Sequence, residues 1–308
     1  MAGDRVRVIC GPTAAGKSGI AMRLAMEYGG TIISADSRQI YLGFDIGTAK
    51  PGHAELTTVP HRGIDVADPT ERYSASRWAT HAKEWIGEAE VERRAPLIVG
   101  GTGFYIRALF EPLFDAPPLD VARRAALSQW LDERPISDLR KWCELIDPAK
   151  AKLGRVQLSR AMETALLAGR RLSDLQRESG LARSNELPGL KPHYLVVDPG
   201  VRLHAHIERR VDAMLNAGWV DEVHALMANV PPGAPAWKAS GYGVVRAVAA
   251  GSMDLSSARA RIIIETRQYA KRQRTWLRHQ LGAGSVTRVD PDDPECAAVV
   301  ERWWKELT

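Results

Sequence analysis

Gly11-Pro12-Thr13-Ala14-Ala15-Gly16-Lys17-Ser18 fits G-x-x-x-x-G-K-[ST], a spacing that wraps backbone N–H groups around a polyphosphate. Gly11 and Gly16 let the amides turn inward, Lys17 supplies a point charge, and Ser18 can hold a magnesium ion. Such a P-loop says that a di- or triphosphate binds, ATP among them, but not what happens to it. Asp36 follows the β-branched run Thr31 to Ala35, where it reads either as a general base or as an N-cap. Thr102, in Gly100-Gly101-Thr102-Gly103, offers a hydroxyl to a phosphate oxygen. Many P-loop ATPases have an acidic residue at the end of the corresponding strand; here glycines and a threonine take its place, so ATP hydrolysis is not indicated. The last cluster is cationic: Arg267, Lys271, Arg274 and Arg278 share one stripe of a helical wheel, across from Ile262, Tyr269, Trp276 and Leu277. No acid interrupts them after Glu265, which favours a polyanion groove over a solvated face.

These residues need a scaffold of parallel strands. Val6 to Cys10 is the strand that feeds the P-loop, and Ile20, Ala21, Leu24, Ala25 and Tyr28 mark the helix after it, ended by Gly29-Gly30. Thr31 to Ala35, His61 to Val66, Pro96 to Val99, His193 to Asp198 and Ser285 to Asp290 read as further strands. In an open α/β sheet ligands gather beyond the carboxyl ends of strands, which puts Asp36 on the rim of the P-loop, one strand away. Residues 41–51 read as an ordered loop across that rim, and residues 74–93 as a helix with an apolar stripe from Ala75 to Ala89. From Asp115 to Lys191 the β-branched runs vanish between Pro117-Pro118 and Leu187-Pro188-Gly189. Amphipathic helices are expected there at Val121 to Arg134, Ile136 to Ile146 and Val156 to Arg171. Arg123, Arg124, Arg155, Arg160, Arg170 and Arg171 read there as solvated charges. Beyond it, helices are expected at Val201 to Asn216, Val220 to Met227, Val244 to Ala250, 254–281 and Pro294 to Leu307. The expected fold is α/β, a P-loop NTPase-like parallel sheet flanked by helices with an inserted all-helical domain. Residues 1–116 and 191–308 form the core, 117–190 the insertion, and 254–281 the basic helix.

The whole-chain averages constrain less. A formal charge of +5 and a pI near 9.2 are weak support for a nucleic-acid partner. The 3 cysteines, Cys10, Cys143 and Cys296, are scattered and suggest neither a disulfide framework nor a zinc site, which fits a reducing compartment. No apolar leader and no window long enough for a membrane span is present, so a cytoplasmic protein is expected.

With these pieces in order, the sequence resembles the tRNA dimethylallyltransferases (tRNA isopentenyltransferases) over nearly its whole length. The likeness rests on GPTAAGKS (Gly11 to Ser18), SADSRQIYLGFDIGTAKP (Ser34 to Pro51), PHRGIDVADP (Pro60 to Pro69), YSA (Tyr73 to Ala75), VGGTGFY (Val99 to Tyr105) and TRQYAKRQRTWLR (Thr266 to Arg278). The resemblance implies transfer of a dimethylallyl group from its diphosphate to the exocyclic amine of the adenine 3′ of the anticodon. It implies Mg2+ at Ser18, a tRNA anticodon stem-loop and dimethylallyl diphosphate as partners, no membrane, and a monomer. Carried onto these positions, it implies catalytic roles for Asp36, Thr102 and Lys17, and diphosphate contacts from residues Gly11 to Ser18 and from Arg210. It assigns tRNA contacts to Asp36, Ser37, Arg38, Gln39, Thr102, Arg124, Arg160, Lys271, Arg274 and Arg278. Arg210 matches the second arginine of R-I-x-x-R-x-x-x-M, whose first arginine is His206 here. Gly243 follows Tyr242 where a basic residue is usual, and Gln157 stands at a tRNA-contact position usually held by arginine. Two rivals remain: a nucleoside or nucleotide kinase, with Asp36 deprotonating a hydroxyl, and a non-catalytic RNA-binding module with a nucleotide-dependent clamp.

Overall fold

The computed structural model describes residues 5–111, 117–183, 189–281 and 285–307. The chain divides into two compact units, one of Met1–Glu111 with Gly189–Thr308 and one of Pro112–Pro188.

The first unit is built on the apolar runs, which pair because strands buried on both faces need near-continuous hydrophobic sequence. In chain order it holds β1 (Arg5–Cys10), α1 (Lys17–Tyr28), β2 (Gly30–Ser34), α2 (His53–Thr58), β3 (His61–Arg62), α3 (Ala75–Val91), β4 (Ala95–Gly100) and α4 (Gly103–Phe110). All pairings are parallel and the order is β3-β2-β4-β1-β5-β6, where β5 (Lys191–Val197) and β6 (Ser285–Val289) follow the second unit in sequence. The register sets Cys10 beside Gly100 and Val196, and Ser34 beside Val99, so the carboxyl ends of β2, β4, β1 and β5 form one rim. Asp36 and the P-loop do share that rim, but β4 lies between their strands, so the carboxylate is two strands from the cradle rather than one.

The expected strand at 61–66 shrinks to His61–Arg62. Gly63 and Asp65 adopt left-handed backbone (φ 75 and 55), which turns the chain off the sheet edge. The short helix α2 was not anticipated; the Glu55 side chain closes its first turn by accepting the Gly52 N–H at 2.8 Å. After the second unit the chain adds α9 (Leu203–Asn216), α10 (Trp219–Asn229), α11 (Tyr242–Ala249), α12 (Leu255–His279) and α13 (Cys296–Lys305) to the first.

That second unit comprises α5 (Val121–Asp132), α6 (Ile136–Ile146), α7 (Arg155–Ala168) and α8 (Leu172–Arg183) around Leu131, Leu139, Cys143, Leu158, Met162 and Leu172. The expected helix to Arg171 stops earlier because Gly169 takes a left-handed φ of 69, and α8 starts beyond it. Arg155 is not a solvated charge: it donates to Leu131 O at 3.0 Å and Arg134 O at 2.6 Å, satisfying the end of α5. Arg124 is likewise engaged, its Nε 2.8 Å from Oε2 of the buried Glu163. Gln157 and Arg160 are exposed on α7. Leu187 and Pro188 of the expected closing breaker lie outside the described residues.

Among the described residues no helix is long and apolar enough to cross a membrane. Cys10, Cys143 and Cys296 are all buried free thiols.

Candidate active site

The P-loop runs from the end of β1 into α1. Gly16 supplies a left-handed N-cap (φ 84), and Ala14 is also left-handed (φ 62), a conformation that strains an alanine. Its carbonyl is 3.3 Å from His206 Nδ1 on α9, and His206 Nε2 is 3.1 Å from an Asp292 carboxylate oxygen. The residue that departs from the family arginine therefore still abuts the loop. Lys17 folds back to donate to Pro12 O at 2.7 Å. Burial, reinforced by the positive charge of Arg210 and opposed by Asp36, lowers the Lys17 ammonium to about 8.

Asp36 closes a turn by accepting the Arg38 N–H on Oδ1 at 2.9 Å, which leaves its second oxygen without a hydrogen-bond partner among the described residues. No helix follows Asp36 directly, so the N-cap reading fails; the side chain closes a turn instead, and its second oxygen is left for the general-base role. Thr102 accepts the Ser37 N–H at 3.0 Å, joining the turn after β4 to the segment after β2. Gln39 holds the facing loop, donating to Thr48 O at 3.3 Å and Ala49 O at 2.9 Å. Arg210 reaches the same loop from α9, 3.5 Å from Thr48 O; burial lowers its pKa and Asp36 opposes that.

Two cavities open on the rim. The larger, about 690 Å³, is lined by Arg38, Trp219, Trp237, Tyr269 and Arg272; the smaller, about 310 Å³, carries Lys17 and Ser18 against an apolar wall of Met22, Ile32, Ile64 and Val99. Thr13, Asp36 and Arg210 line both. The arrangement can hold an amphipathic anion on one side of a carboxylate and a planar polar group on the other.

The basic stripe of α12 needs correction. Arg267 pairs with Glu208 of α9, and Arg274 Nε lies 3.0 Å from Asp198 at the end of β5. The helix lacks its own acids, but its neighbours provide them. Lys271 and Arg278 are exposed and have no acidic partner among the described residues. The face on the cavities is the opposite one, carrying Glu265, Thr266, Tyr269, Arg272 and Gln273. Burial, together with the nearby Asp36, pushes the Tyr269 phenol up to about 12, against a hydrogen bond with Thr102 that lowers it. Sequence reasoning also missed Glu222 of α10, which accepts the Asp45 and Ile46 N–H groups at 3.0 and 2.6 Å and the Tyr242 hydroxyl at 2.6 Å. It thereby fixes the loop over the rim. Nothing in the sequence marked Glu222; for α12 the run Ile262, Tyr269, Gln273, Trp276, which repeats at helical spacing and mixes apolar with hydrogen-bonding groups, marks a buried face but not the partners of Gln273.

A profile described as IPP transferase matches residues 39–280, and one described as isopentenyl transferase matches residues 4–63. The chain belongs to the IPP transferase family. Among its relatives, the tRNA dimethylallyltransferase of Deinococcus radiodurans is 38% identical, over 98% of this chain and 98% of the relative. That of Halorhodospira halophila is 42% identical over 92% and 93%. The crystal structure of a tRNA isopentenylpyrophosphate transferase from Staphylococcus epidermidis is similar with a TM-score of 0.66 at 27% identity, covering 98% of each chain.

Proposed function

We propose that this member of the family transfers a dimethylallyl group from dimethylallyl diphosphate to the exocyclic N6 amine of the adenosine 3′-adjacent to the anticodon (position 37) of tRNA, releasing diphosphate. The observation that carries the reading is the pair of cavities that meet at Asp36, one with cationic and apolar walls and the other with aromatic and polar ones. A prenyl diphosphate needs the first combination; a splayed nucleobase suits the second.

In this reading the allylic C–O bond breaks as the C–N bond to N6 forms. The electron pair leaves with the diphosphate, and the N6 proton passes to the free oxygen of Asp36. The amine's lone pair is delocalised into the ring, so removing its proton contributes roughly 10²–10⁴-fold. Charge developing on the leaving group meets the P-loop amides, Lys17 and Arg210, which the fold already holds at the cavity. Thr102 and the Asp36-to-Gln39 segment orient the base. Arg160, Lys271 and Arg278 hold RNA phosphates, with Gln157 beside Arg160, while Arg124 and Arg274 combine that role with their anchors on Glu163 and Asp198.

Among the described residues no group of three or more His, Cys, Asp or Glu could cage a metal. That donor set fits Mg2+ held mainly by phosphate oxygens and water, with Ser18 and Asp36 lining the same cavity as the protein's contribution. Bound there, the ion would neutralise charge on the departing diphosphate. The kinase reading explains neither the apolar wall nor the glycine turn after β4. The test is incubation with unmodified tRNA and either labelled dimethylallyl diphosphate or γ-labelled ATP, with mass spectrometry of the nucleosides. A prenylated adenosine is expected, and label arriving only from ATP would overturn the reading.

A further inference from the structure

Thr13 lies inside the phosphate loop, yet its N–H donates to Gln273 Oε1 of α12 at 2.8 Å. The same carboxamide donates from Nε2 to Gly101 O at 2.9 Å. One buried side chain, 7% exposed, thus joins the loop after β1 to the turn after β4. The joint needs an acceptor and a donor on one planar group: glutamate has only acceptors, and lysine and arginine only donors. Room for it is made at Gly101, where a Cβ would stand 2.3 Å from Gln273 Nε2. On α12 the residues on either side are also placed, Arg272 along the larger cavity and Arg274 on Asp198.

We propose that Gln273 is a positioning residue for the leaving group. It sets the separation between the loop that grips the anion and the turn that carries Thr102, and so fixes how the breaking bond is presented to Asp36. This rests on the transferase reading above. Gln273 acts through the two backbone groups it holds: without it Thr13 N–H and Gly101 O lose their partners, and the loop can settle in arrangements that hold the diphosphate less well as its charge grows. Interactions of that kind lower kcat more than they raise KM.

The test uses the full chain with Gln273→Met, Gln273→Glu, Gln273→Ala, Gly101→Ala and the double variant Gly101→Ala/Gln273→Ala. Four quantities are read: kcat, KM for tRNA, pyrophosphate affinity by calorimetry with magnesium present, and the thermal midpoint. A misplacement of about 1 Å costs on the order of 10²-fold in rate. Gln273→Met is therefore expected to lower kcat by about 10- to 100-fold and pyrophosphate affinity by about tenfold, with KM for tRNA within about twofold. Gln273→Glu should weaken pyrophosphate further by like-charge repulsion. Gly101→Ala should cost less in the Gln273→Ala background than alone, because the nearest group it strikes is gone and only the tight approach to Gly11 O, at 3.0 Å, remains. Unchanged kcat and pyrophosphate affinity in Gln273→Met would overturn the proposal, as would full additivity. So would losses in kcat, both affinities and thermal midpoint in common proportion, since that marks a structural role. If wild type binds pyrophosphate but prenylates no tRNA, the transferase reading fails separately, while a tenfold affinity loss in Gln273→Met would still uphold the brace.

Discussion

At the carboxyl rim, Asp36, Thr102 and Lys17 each stand within a few residues of a strand or helix end, and the register of β1, β2 and β4 brings them together. On α12 the cations Arg267 and Arg274 instead reach Glu208 and Asp198, carboxylates distant in sequence, while Tyr269 and Gln273 on the opposite side face the site. Local backbone thus dictates the rim, whereas the meaning of each stripe on α12 depends on its neighbours. A cation with no acid nearby in sequence can still be a paired one.

The sharpest way to break this comparison lies at the rim. Asp36→Asn should reduce prenyl transfer at least about a hundredfold while tRNA affinity stays near normal. Unchanged transfer would remove Asp36 as the base. Next in size is a pH effect. Lys17 is lowered to about 8 in the free protein, so it loses its proton as pH rises through that value, and the diphosphate loses its countercharge. Pyrophosphate affinity should hold below pH 8 and fall by up to about tenfold per pH unit above it. Lys17→Arg, which keeps its charge, should move that fall to higher pH. A flat calorimetric profile to pH 10 in wild type would count against Lys17 as the titrating group.

The α12 side is sharpened by substitutions of smaller effect. Lys271→Ala should weaken tRNA binding a few-fold and flatten its salt slope by about one, leaving pyrophosphate affinity alone. Arg274→Ala should do the same and also lower the thermal midpoint by about 2–4 °C, as should Asp198→Ala, because their pair ties α12 to β5. If Arg274→Ala leaves the midpoint unchanged, the brace is only a surface contact. Smallest of all, Arg261→Ala removes an exposed pair with Glu265 four residues on and should shift stability by less than about 0.5 kcal/mol, below a readable change in midpoint.

Much of the fold was legible because parallel strands and amphipathic helices declare themselves by period. The P-loop, the glycine turn at Gly100 to Gly103 and the end of α1 stand where spacing put them, and α3 falls within two residues of its expected ends. The edge strand was overextended because Gly63 and Asp65 leave the β region, and α2 and α8 passed unnoticed because short or weakly apolar helices carry little periodic signal. In the site, Lys17 and Thr102 were legible from motif, but Gln273 and Glu222 were not. Apart from the Tyr242 hydroxyl on Glu222, their partners are backbone groups brought near by folding, and these leave no mark in a sequence.

The sequence by itself determined an anion-binding turn on a parallel sheet, a carboxylate and a hydroxyl on the same rim, and a long basic helix, since each follows from residue type and spacing over a few turns. Only the tertiary structure decided that β4 separates Asp36 from the P-loop, that two cavities meet at that carboxylate, and which side of α12 faces them. Those outcomes depend on which strands pair and which helices supply the opposing charge. Both are settled by burial and hydrogen bonding between segments far apart in the chain.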